Sequence, residues 1–66
     1  MTGLEAACKY LGWQGGTCHE AKAELMKKEE TLIRMVNAMD EETDMQVAQL
    51  AELDIAVIQF ILAALP

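Results

Sequence analysis

The chain has 66 residues, 53% of them hydrophobic, and a formal charge of −6. That length holds one domain at most, and a lone core of this size is marginal unless a metal, disulfides, oligomerisation or very regular helix packing supports it. The acidic balance disfavours a nucleic-acid binder, which needs a basic face, and a helix lying on an anionic membrane, which needs Lys and Arg on its polar side.

Only Trp13, Tyr10 and Phe60 are aromatic, and the remaining apolar residues are largely Ala, Leu, Met, Ile and Val. Helix formers dominate and nothing alternates with period two, so the fold is expected to be all-α, a single helical domain over residues 1–66. All four glycines precede Thr17 and the only proline is Pro66, so nothing between them breaks a helix outright.

Three Thr-x-x-Glu/Gln segments open with Thr2, Thr17 and Thr43. Each reads as a capping box, in which the threonine oxygen accepts from the amide three residues on. The first helix is expected over about residues 3–11, stopped by Gly12 in the left-handed conformation with Trp13 following. Gly12-Trp13-Gln14-Gly15-Gly16 then makes a corner. The second helix runs from about 18 to 39 with an apolar stripe of Cys18, Ala21, Leu25, Leu32, Val36 and Met39. Glu24 with Lys28 and Glu30 with Arg34 are spaced to pair along it.

Asp40 to Asp44 is an acidic turn whose carboxylates suit the start of a third helix, over about 44–65. This helix is amphipathic to about Asp54 and then apolar on nearly every side from Ile55 to Leu65. A helix apolar all round is normally buried all round, and the first two helices can cover roughly one side of it. The expected architecture is therefore a short helix and a long antiparallel hairpin, paired with a second copy as a dimeric helical bundle. Leu50, Val57, Ile58, Ile61, Leu62 and Leu65 are the expected seam between copies. The run from Ile55 is also interrupted by Gln59 and falls short of the about 20 residues that span a membrane. No basic region followed by an apolar run opens the chain, so the expectation is a cytoplasmic protein without membrane contact.

The chemistry-bearing residues form no catalytic pattern. Cys8, Cys18 and His19 lack the four closely paired ligands of a structural zinc site, and both thiols read as small buried hydrophobes. The glycine corner lacks the lysine and the preceding strand of a phosphate-binding loop. The acidic turn lacks the alternating ligands, central glycine and distant glutamate of a calcium loop. Asp54 has no second catalytic group beside it in the sequence pattern. No metal, cofactor or catalytic residue is expected, and the chain reads as non-enzymatic.

Residues 4–21 resemble the start of an excisionase-type helix-turn-helix. The likeness rests on Ala6-Ala7, then Tyr10-Leu11-Gly12, then, after four intervening residues, Thr17-Cys18. It implies a regulator encoded by a phage or plasmid, with the helix after Thr17 in the recognition position. The sequence departs from the pattern in having Gly15 and Gly16 where the recognition helix begins, in Glu20 and Glu24 beside Lys22, and in lacking a Gly- and Pro-bearing wing. The leading expectation is accordingly a protein-protein interaction module that homo-oligomerises. Trp13, Gln14, Glu41 and Glu42 are the candidate surface for a further protein partner. A sequence-specific DNA-binding regulator is the alternative.

Overall fold

A computed structural model describes every residue except Met1, Glu41 and Thr43. It is all-α: helix α1 spans Gly3–Leu11, α2 Cys18–Ala38 and α3 Met45–Ala64. The expected bounds differ from these by one residue at most.

The helix ends follow from their caps. Thr2 Oγ1 accepts from the Glu5 amide at 3.1 Å and Thr17 Oγ1 from the Glu20 amide at 3.2 Å. The boxes close differently from the expected form: each glutamate accepts from the threonine hydroxyl, at 3.3 and 3.0 Å. Gly12 takes φ 74°, a conformation that costs a side chain but not glycine. Its amide donates to Lys9 O and the Trp13 amide to Cys8 O, the paired bonds of a Schellman motif.

The third expected box begins at Thr43, outside the described residues. Asp44 is the N-cap of α3 but makes no side-chain cap bond. Its Oδ2 instead accepts from the Asp40 amide at 3.2 Å, while Asp40 Oδ1 accepts from Glu42 N–H at 2.9 Å. The carboxylates therefore stitch the turn to itself.

α2 and α3 form the antiparallel hairpin and α1 lies across both. The packed cluster is Ala7, Ala21, Leu25, Ile58, Ile61 and Leu65, with Leu4, Tyr10, Trp13, Cys18, Leu32 and Leu62 partly buried against it. Among the described residues only Leu25 and Ile58 are large and fully enclosed. Nine large hydrophobics are exposed among the described residues, against four larger than alanine that are buried: Leu25, Ile58, Ile61 and Leu65. The molecule is a rod of 39 × 20 × 19 Å with a radius of gyration of 13.0 Å, beyond the about 11 Å of a compact chain this long. Its accessible surface is 4877 Å², where a folded monomer of its mass shows about 4,200 Å².

Candidate functional site

The third helix carries two apolar stripes, and the fold uses one. Ala48, Ala51, Ile55, Ile58, Leu62 and Leu65 follow one another at spacings of three and four and are all buried or half-buried toward α2. Leu50, Leu53, Val57 and Phe60 follow the same spacing on the other side of the helix. They stand 64%, 63%, 44% and 79% exposed. At about 100° per residue the two stripes point roughly 140° apart. Residues repeating at 3-4-3 intervals are what a helix presents to a partner helix in knobs-into-holes packing.

This divides the expected seam. Leu50 and Val57 lie on the outward stripe, whereas Ile58, Ile61 and Leu65 are buried inside the chain and Leu62 is half-buried. In the last three turns one side is covered within the chain, at Ile58, Ile61 and Leu65, while Val57 and Phe60 on the other side are not. α1 supplies that cover: a Cβ built on Gly3 would stand 2.5 Å from the Ala64 carbonyl oxygen, so the absent side chain lets α1 lie directly on α3. Leu53 and Phe60 complete the outward stripe and are not among the expected seam residues. Their spacing from Leu50 and Val57 was the available signal.

The outward stripe is nearly free of charge. Asp54 flanks it, exposed, in a cleft with Tyr10, Glu24, Lys27 and Lys28. Lys28 Nζ lies 5.5 Å from the centre of the Tyr10 ring, in cation-π range. The expected Glu24–Lys28 ion pair is thus replaced by an aromatic contact between α1 and α2. Burial raises the Tyr10 phenol above its usual value of 10.0, and the neighbouring Asp54 carboxylate adds to the rise. Arg34 pairs with Glu30 as the sequence spacing predicts, on the open face of α2.

The candidate partner surface is not one surface. Trp13 is half-buried, packed over Gly16, and Gln14 is exposed beside it. Glu42 is exposed beyond the other end of α2, roughly 30 Å away along the helix. Glu41 lies outside the described residues. Cys8 and Cys18 are free and half-buried, and His19 is exposed. Among the described residues no three His, Cys, Asp or Glu side chains are grouped to hold a metal.

By length and composition α3 could cross a bilayer, with 20 residues and a mean hydropathy of 1.7 in its most apolar window. Glu52 and Asp54, however, sit at its middle. No family model, curated protein or solved structure matches the chain.

Proposed function

We propose that this chain is a small non-enzymatic interaction module that associates with itself through α3 and acts by protein-protein contact. The observation that carries the reading is the outward stripe of Leu50, Leu53, Val57 and Phe60, exposed on a single chain. Monomeric proteins rarely leave large contiguous apolar patches in water. The surface in excess of a compact monomer, about 700 Å², approaches the about 800 Å² that each partner contributes to a standard interface.

The reading favours a soluble assembly over a bilayer. A spanning α3 would put Glu52 and Asp54 near the midplane, where each carboxylate costs about 2.5–3.5 kcal/mol or more. A DNA-binding role for α2 draws support from the α1-corner-α2 arrangement alone. Its exposed residues intersperse Lys27 and Arg34 with Glu20 and Glu30, and Arg34 is engaged by Glu30.

Light scattering on the purified chain at micromolar concentration tests the proposal. The expected result is a discrete species of two or more chains, and a stable single chain overturns it. Salt-sensitive binding to duplex DNA that Lys22→Ala weakens would favour the regulator instead.

A further inference from the structure

We infer that the second copy docks antiparallel, with α3 against α3, so that Leu50 meets the partner's Phe60 and Leu53 meets the partner's Val57. The inference rests on the self-association proposed above. It follows from the shape that α1 gives to one flank of α3.

Val47, Asp54 and Ile61 are seven residues apart and share that flank of the outward stripe. α1 covers it at one end: Thr2, Gly3 and Ala6 border a recess with Phe60, Ile61 and Ala64, and Tyr10 reaches the cleft beside Asp54. Nine residues make α1 about 14 Å long, so it goes no further. Beyond it Val47 stands 53% exposed. The flank is therefore a ridge over its second half and a step down over its first.

Antiparallel packing sets like flanks together. The register that pairs all four stripe residues places Val47 alongside the partner's Ile61, so the partner's α1 fills the step beside Val47. By two-fold symmetry the same happens at the other end, as a self-complementary interface requires. Parallel packing would instead set this flank against Gln49, Ala56 and Ala63 and leave Val47 uncovered. It would also stack Phe60 on Phe60 and Val57 on Val57, whereas the antiparallel register alternates larger with smaller side chains, as close packing prefers.

Charge agrees at the ends and is met at the centre. The acidic turns with Asp40, Glu42 and Asp44 fall at opposite ends of an antiparallel pair. The two Asp54 carboxylates approach near the two-fold axis, each in a cleft of its own chain where Lys27 and Lys28 balance Asp54 and Glu24.

A single spin label on Gln46→Cys, in a chain carrying Cys8→Ser and Cys18→Ser, tests the orientation by pulsed electron resonance. Gln46 is exposed at the start of α3, and circular dichroism checks that the fold persists. Cys8→Ala with Cys18→Ala serves if the serines unfold it. In the antiparallel register the labelled backbones lie about 27 Å apart along the seam, from 18 residues at 1.5 Å each. Labels within about 15 Å, as adjacent parallel positions require, overturn the orientation but leave self-association standing. A folded protein of one chain with no dipolar signal overturns both.

Discussion

Val57 and Ile58 are neighbours in sequence and opposites in environment: Ile58 is fully enclosed between the helices, while Val57 faces outward and is 44% exposed. The helix pitch separates their side chains by about 100°. One belongs to folding and the other to association. Ile58→Glu is expected to unfold the chain, because a buried unpaired carboxylate costs more than so small a core can supply. Val57→Glu should keep native helicity and lose self-association. Circular dichroism with size-exclusion chromatography separates the two outcomes.

Gly3→Ala should destabilise the protein by about 1–3 kcal/mol, the usual cost of overpacking. Helix propensity alone argues the other way, since alanine gains about 1 kcal/mol over glycine inside a helix. The clash wins here because the atom in the way is the Ala64 carbonyl oxygen, part of a helix backbone that cannot swing aside. Urea denaturation followed by ellipticity gives the sign.

Leu25→Ala removes a large, fully enclosed side chain. A loss of about 2–5 kcal/mol is expected, large against the marginal stability of so short a chain. Thr17→Ala should cost about 1 kcal/mol by exposing the Glu20 amide that the threonine oxygen now satisfies. Midpoints of chemical denaturation compare the two directly.

Alkaline pH provides a test of the α1 packing. The Tyr10 phenol is raised above 10.0 in the folded chain, first by burial and then by Asp54. The unfolded chain therefore loses this proton at lower pH than the folded one. Its contribution to stability is complete below pH 10 and is lost as pH rises through the folded value. Phenolate absorbance should show a late titration, moved only slightly down by Asp54→Asn because burial is the larger cause. Tyr10→Phe should remove that part of the alkaline loss.

The sequence disclosed what is local. Thr2, Gly12 and Thr17 bound α1 and α2 through bonds spanning a few residues, and the stripe from Cys18 to Met39 marks the buried face of α2 because charged residues occupy the other. It did not disclose which face of α3 is buried. With Ile58, Ile61 and Leu62 beside Val57 and Phe60, apolar residues surround the axis and no polar side orients it. That choice is made by contacts distant in sequence: α2 takes the stripe from Ala51 to Leu62, and Gly3, whose missing side chain admits α1 against Ala64, lets α1 close one flank. The Tyr10–Lys28 contact was hidden for the same reason: Glu24 offered a local partner, and the ring came from another helix.

On the function proposed, the outward stripe of α3 joins copies of the chain without being needed to fold it. Sedimentation equilibrium of the native chain beside Leu53→Glu, with helicity measured on both, tests it most directly. The native chain is expected at a multiple of 7.3 kDa, and the Leu53→Glu variant, equally helical, at 7.3 kDa. A native chain that sediments at 7.3 kDa, or a variant that remains assembled, would contradict it.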